Sequence, residues 1–143
     1  IAEISINYKP LKQPCDLIQV TESIDAVNFL RQIWSDKLEY IEEFYLLLLN
    51  RSNKITGFLR ISEGGTTGTV VDPKIVFQAA LKANALGIMM AHNHPSGNIN
   101  PSERDIALTR KIKQAGQALD ISVLDHIILT KEEYFSFADQ GLI

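Results

Sequence analysis

Six consecutive apolar residues, Leu86-Gly87-Ile88-Met89-Met90-Ala91, run directly into a polar stretch, His92-Asn93-His94-Pro95-Ser96-Gly97-Asn98-Ile99-Asn100-Pro101-Ser102-Glu103-Arg104-Asp105. An apolar run of this length reads as a buried strand. Side chains two apart on a strand leave the same face, so His92 and His94 present two imidazoles to one spot. A loop rich in Pro, Gly and Asn follows. Ser102 then opens an amphipathic helix that carries Asp105 on its first turn. Two imidazoles and a carboxylate are the ligand set of an open zinc site, with the fourth position left to water.

The rest of the chain supplies layers around that strand. Residues 1–9 alternate loosely through Ile4, Ile6 and Tyr8, as an edge strand or an arm, and Pro10 and Pro14 break any regular element. Ala26, Val27, Leu30, Ile33 and Trp34 recur at helical spacing and predict an amphipathic helix over 23–34, followed by a polar connection over 36–40. Residues 43–49 are nearly all apolar and predict a strand buried on both faces. Asn50-Arg51-Ser52-Asn53 supplies turn residues, so 54–62 is expected to pair back as a hairpin. Glu63-Gly64-Gly65 turns the chain into 66–71, rich in Thr and Val. Asp72-Pro73 suits a helix start. That helix is expected to reach about residue 85, with Val76, Phe77, Ala80 and Leu81 inward and Gly87 as its stop. A helix over 102–119 with the stripe Leu108, Ile112, Ala115 and Leu119, a strand over 121–129 and a short element at 134–137 complete the pattern. Helices flanking a mixed sheet make this an α/β (α+β) single domain, and 143 residues are enough for one core.

Composition narrows the setting. No apolar run approaches the roughly 20 residues needed to span a bilayer. The opening Ile-Ala-Glu-Ile-Ser-Ile lacks the basic start and long apolar middle of a signal peptide. A start at Ile1 is expected of a piece of a longer protein. The single cysteine, Cys15, has no internal partner and reads as a packed thiol in a reducing, cytoplasmic compartment. A formal net charge of −3 argues against a broad phosphate-binding surface. Arg104, Arg110, Lys111 and Lys113 on the helix after the polar stretch read first as a solvated face, and second as a small patch for DNA.

Each candidate also has a plainer reading. A single histidine is more often structural than a ligand, although two at i, i+2 before a Pro-Gly loop are harder to dismiss. Ser102-x-x-Asp105 is also a capping box, in which both side chains satisfy backbone N–H groups. Asn93 faces away from the two imidazoles and reads as a structural hydrogen-bonder. Pro95, Ser96 and Gly97 shape the loop. His126, in an apolar strand beside Asp125, reads first as a satisfied core histidine and second as support for a ligand.

His-x-His, seven residues, then Ser-x-x-Asp resembles the JAMM motif of the JAB/MPN+ metalloproteins. The phrases Ala91-His92-Asn93-His94-Pro95-Ser96-Gly97 and Val123-Leu124-Asp125-His126 resemble the bacterial RadC family in particular, over the chain from about residue 40 onward. The resemblance implies a JAB/MPN-like (cytidine-deaminase-like) architecture over 39–143, with residues 1–38 as an arm and helix packed on the same core. It implies Zn2+ held by His92, His94 and Asp105, an upstream Glu as acid/base, and Ser102 as a hydroxyl donor to a developing oxyanion. RadC-like sequences read Glu-x-Phe at the start of the upstream strand, which favours Glu42. Glu43, directly against Phe44, is the alternative, and Glu63 beside Gly64-Gly65 a third.

The expected function is then a zinc metallohydrolase acting on a peptide or isopeptide bond of a peptide or protein substrate. A second expectation is a DNA repair or recombination accessory protein whose metal site is structural or vestigial. A noncatalytic scaffold ranks last, because the ligands are kept. The helix-hairpin-helix module that fuller RadC-like proteins carry has no counterpart in this sequence.

Overall fold

The computed structural model describes residues 1–3, 16–65 and 68–143. The expected strand or arm around Ile4, Ile6 and Tyr8, the breaks at Pro10 and Pro14, and the packing of Cys15 lie outside the described residues. So do Thr66 and Thr67.

Among the described residues, three helices and five strands follow in the order α1 (Ser23–Ile33), β1 (Glu43–Leu49), β2 (Ile55–Glu63), α2 (Pro73–Lys82), β3 (Gly87–Asn93), α3 (Glu103–Ala118), β4 (Ser122–Leu129) and β5 (Tyr134–Ser136). One sheet takes the strands in the order β2-β1-β3-β4-β5. Pairing is antiparallel except between β3 and β4, which run parallel and are joined through α3. The domain is therefore a mixed α/β fold.

All seven residues of β1 and all seven of β3 are buried. Neighbouring side chains on a strand leave opposite faces, so this burial requires cover on both sides. On one face Phe44, Leu46, Leu48, Ile88 and Met90 pack with Val76, Phe77 and Ala80 of α2 and Ile112 of α3. On the other Tyr45, Leu47, Leu49, Met89 and Ala91 pack with Ala26, Val27 and Leu30 of α1. The continuous apolarity of 44–49 and 86–91 encodes this three-layer arrangement.

Turn and cap chemistry follows the sequence closely. The Asn50 side chain accepts from the backbone N–H of Ser52 and Lys54, and Asn53 takes a left-handed φ of 54°, which closes the β1–β2 hairpin. Asp72 caps α2 by accepting from Lys74 N–H at 2.9 Å, with Pro73 at the first turn.

The end of α2 differs from expectation. Asn84, with φ 53°, stops the helix at Lys82, and Ala85 N–H returns to the Ala80 carbonyl. This is the left-handed stop that Asn tolerates. Gly87 instead opens β3, where an added Cβ would come within 3.1 Å of the Leu124 side chain. Leu81, in the last turn of α2, is exposed rather than inward, and Leu119, just past the end of α3, is exposed too. No strand forms over 68–71; an isolated bridge joins Gly65 and Gly68. Among the described residues no helix is long and apolar enough to cross a membrane.

Gly116 lets α3 approach the chain entering β4. A Cβ there would lie 2.5 Å from the Ile121 carbonyl oxygen, which belongs to the residue whose N–H closes the helix end on the Gly116 carbonyl at 2.9 Å. Alanine normally stabilises a helix by about 1 kcal/mol relative to glycine. Here Gly116→Ala is expected to lower unfolding free energy by about 1–2 kcal/mol through overpacking, read as a reduced urea midpoint at unchanged slope.

Candidate metal centre

The site forms where β3 ends and the loop to α3 begins. This is the carboxyl end of a strand with a parallel partner on one side and an antiparallel one on the other, a usual place for ligands in α/β sheets. Because His92 shares the face of Ile88 and Met90, its ring enters the layer between β3 and α3. His94 lies just past the strand, its N–H held by the Leu129 carbonyl at 2.9 Å.

The two Nε2 atoms are 2.9 Å apart. Asp105 Oδ1 lies 3.3 Å from His92 Nε2, and its Oδ2 lies 3.4 Å from His94 Nε2. A tetrahedral zinc with N and O ligands at about 2.0–2.2 Å separates those ligand atoms by roughly 3.3 Å. His92, His94 and Asp105 therefore form a group that could hold a metal ion, with the ligand atoms all within 4.8 Å of one another.

The capping role of Ser102 and Asp105 is present as well. Ser102 N–H donates to Asp105 Oδ2 at 2.7 Å, and Asp105 N–H donates to Ser102 Oγ at 3.1 Å. The cap holds the Asp105 carboxylate against the imidazoles, so the structural and ligating readings of this residue are compatible. Ser102 Oγ uses a lone pair in the cap, which leaves its own proton available to donate.

A ring of hydrogen bonds lies behind the imidazoles. His94 Nδ1 meets the Asn98 carbonyl at 2.6 Å. His92 Nδ1 meets His126 Nε2 at 2.8 Å, and His126 Nδ1 meets Thr109 Oγ1 at 2.6 Å. Thr109 Oγ1 donates to the Asp105 carbonyl at 2.7 Å. His126 is wholly buried and stacks on Phe137, so it is a core histidine that also touches a candidate ligand. The sequence marks Thr109 only by its position four residues after Asp105, on the same helix face.

A cleft of about 610 Å³ opens in front of the centre, lined by Glu42, His94, Ser102, Arg104 and Asp105 and walled by Thr69, Val70 and Val71. Glu42 has the same parity as Phe44 and His92, which are directly paired across β1 and β3, and its carboxyl reaches the cleft. Glu43 points to the opposite layer. There, fully buried, it accepts from Ser35 Oγ and from Arg60 at 3.0 Å. Glu63 pairs with Lys37 and Arg60. Asn93, facing away from the imidazoles, accepts from Glu43 N–H at 2.7 Å and donates to the carbonyls of Leu38 and Ile41 at 2.7 and 2.8 Å. It thereby fixes the segment that delivers Glu42. Of the basic residues of α3, Arg104 lines the cleft, and Lys113 lines a separate depression near the other end of the helix.

Burial pushes the Glu42 carboxyl up, against the pull of His92 and His94. Burial also acts to raise Asp105, but hydrogen bonds from His92 and His94 outweigh it and hold the carboxyl well below the usual range. The hydrogen bond to Asp105 raises His94 despite partial burial, and the Asn98 carbonyl adds to it. Burial, then the neighbouring His92, drives His126 well below the ordinary imidazole range.

A single mixed domain that gathers two imidazoles and a carboxylate at a strand–helix junction defines a class of candidate metalloprotein domains. Residues 20–142 match the model of the RadC-like JAB domain, and the chain belongs to that family. It is 44% identical over 126 residues to a UPF0758 protein of Flavobacterium johnsoniae, covering 88% of this chain and 54% of that one. It is 43% identical over 128 residues to a UPF0758 protein of Pelobacter propionicus, covering 85% and 56%. A UPF0758 protein of Staphylococcus haemolyticus is 37% identical over 124 residues, covering 87% and 54%. The chain thus spans about half the length of these curated relatives.

The His94–Asp105 contact makes a definite prediction for the metal-free protein. Because His94 is raised when folded, its contribution is fully present below the unfolded imidazole range and is lost as pH rises through the folded value, above about 6.5. His126 works in the opposite sense: its contribution is lost as pH falls. Comparison with His94→Gln removes most of the His126 effect, because burial and His92, which both chains share, are its largest causes. In the presence of chelator, the advantage in Tm of wild type over His94→Gln is expected to shrink between pH 6 and pH 8.5, read by thermal melts across that range.

Proposed function

We propose that this domain is a zinc-dependent hydrolase that cleaves a peptide or isopeptide amide bond of a protein or peptide substrate. The observation that carries the reading is the convergence of His92, His94 and Asp105 at a cleft lined by His94, Asp105, Glu42 and Ser102, with His92 buried behind its wall. His92, His94 and Asp105 would hold the ion, which when bound supplies a Lewis acid and a water acidic enough to give hydroxide near neutral pH.

The chain's own groups supply the rest of an amide hydrolysis. Glu42, its carboxyl raised by burial, takes a proton from the attacking water and delivers it to the departing amine nitrogen. The Ser102 hydroxyl donates to the oxygen that becomes an oxyanion when the carbonyl is attacked. Asp105 stays ionised in its cap and His94 keeps Nδ1–H on the Asn98 carbonyl, so neither competes for that proton. Cys15 as a single cysteine supports a reducing, cytoplasmic setting.

The test begins with metal content. About one zinc per chain is expected in the wild type, with loss in His94→Ala and Asp105→Ala. A screen of amide and isopeptide substrates is then run with Glu42→Gln and Glu43→Gln. Glu42→Gln is expected to keep zinc and stability but to cut turnover by about 10²–10⁴-fold. Glu43→Gln is expected mainly to destabilise, because it weakens the pair between the buried Glu43 carboxylate and the half-exposed Arg60. A wild type that takes up no zinc even on reconstitution would sink the hydrolase reading.

A further inference from the structure

The hydrogen bonds behind the centre leave only one consistent placement of protons. The Asp105 carbonyl can only accept, so the Thr109 hydroxyl must donate to it. Thr109 Oγ1 is then left to accept, and the only neighbouring donor in the chain of contacts is His126 Nδ1–H. A neutral imidazole with Nδ1–H has a lone pair on Nε2, which must accept from His92 Nδ1–H. In the metal-binding form, where Nε2 gives up the hydrogen bond it makes to Asp105 in the metal-free chain, neutral His92 with Nδ1 protonated has its lone pair on Nε2, the atom that faces His94 and Asp105. His94 reaches the same state by a shorter route, because Nδ1–H donates straight to the Asn98 carbonyl.

We propose that Thr109 and His126 are positioning residues that lock His92 in the Nδ1–H form, with its Nε2 lone pair aimed at the metal. This rests on the metal-centre reading above and adds two residues to it. The relay starts on the backbone of Asp105 and ends on His92, so one candidate ligand sets the tautomer of another through α3 and β4. Burial suits the role: His92, Thr109 and His126 are each at most 2% exposed, so bulk solvent does not compete for His92 Nδ1. Proton placement of this kind commonly changes metal affinity by about 10–100-fold.

The experiment compares wild type with Thr109→Val, which keeps the shape of the side chain and removes the hydroxyl, and Thr109→Ser, which restores it. Zinc affinity is measured by competition with a chromophoric chelator at one pH, and imidazole tautomers by nitrogen-15 NMR of the zinc-loaded protein. Thr109→Val is expected to weaken zinc binding by about 10–100-fold, and Thr109→Ser to stay within a few-fold of wild type. The wild-type spectrum is expected to place protons on Nδ1 of both His92 and His126. Unchanged affinity in Thr109→Val would overturn the relay while leaving the zinc centre standing. A wild-type His92 ligating through Nδ1 would overturn it regardless of whether the variants fold. A wild type that binds no zinc would overturn the centre itself, and the relay with it.

Discussion

Complete burial of β1 and β3 is the constraint on which the rest of the structure depends. When both faces of a strand are covered, every side chain belongs to one of two layers, and parity alone decides which. A one-residue slip in register would send His92 into the α1 layer and turn Asn93 toward the cleft. The apolar sets prevent it, because Ile88 and Met90 on one face and Met89 and Ala91 on the other are held by different helices. The same parity separates Glu42, which shares the cleft with His94 and Asp105, from Glu43, which is neutralised by Arg60 in the opposite layer.

A cluster of imidazoles at the end of a hydrophobic layer would be costly if its ring nitrogens lacked partners. Here the Nδ1 atoms of His92, His94 and His126 each meet a polar atom within 2.8 Å. Those contacts turn the Nε2 atoms of His92 and His94 toward Asp105. Satisfying the buried polar groups and aiming the candidate ligands are one arrangement. The capping box does similar double duty, since the oxygen that closes the first turn of α3 also faces His94.

Fixed backbone supports the open side of the cleft. Asn93 binds the chain on both sides of Glu42, through Ile41 and Glu43, and Gly64 N–H holds the Glu42 carbonyl at 2.8 Å. The acid/base candidate is therefore placed from β3 itself, the strand that carries His92. Ser102 sits at the other side of the cleft as the cap of α3, so the two reach the cleft from separate elements anchored to one sheet.

Local chemistry determined much of this in advance. The apolar runs required a covered sheet, His92-x-His94 and Ser102-x-x-Asp105 marked the centre, and Asp72-Pro73 and Asn50–Asn53 carried their own cap and turn chemistry. These features act within a few residues, where spacing and geometry are nearly the same thing. Where two local signals compete, spacing alone does not choose between them: Asn84 rather than Gly87 ends α2, because a left-handed stop depends on which residue the last turn reaches. Choosing between Glu42 and Glu43 as the residue that enters the cleft needed the pairing of Phe44 with His92. Finding Thr109 behind His126 needed α3 to be laid across β4. Both depend on residues far apart in the chain meeting in one buried layer, and only the tertiary structure decides that.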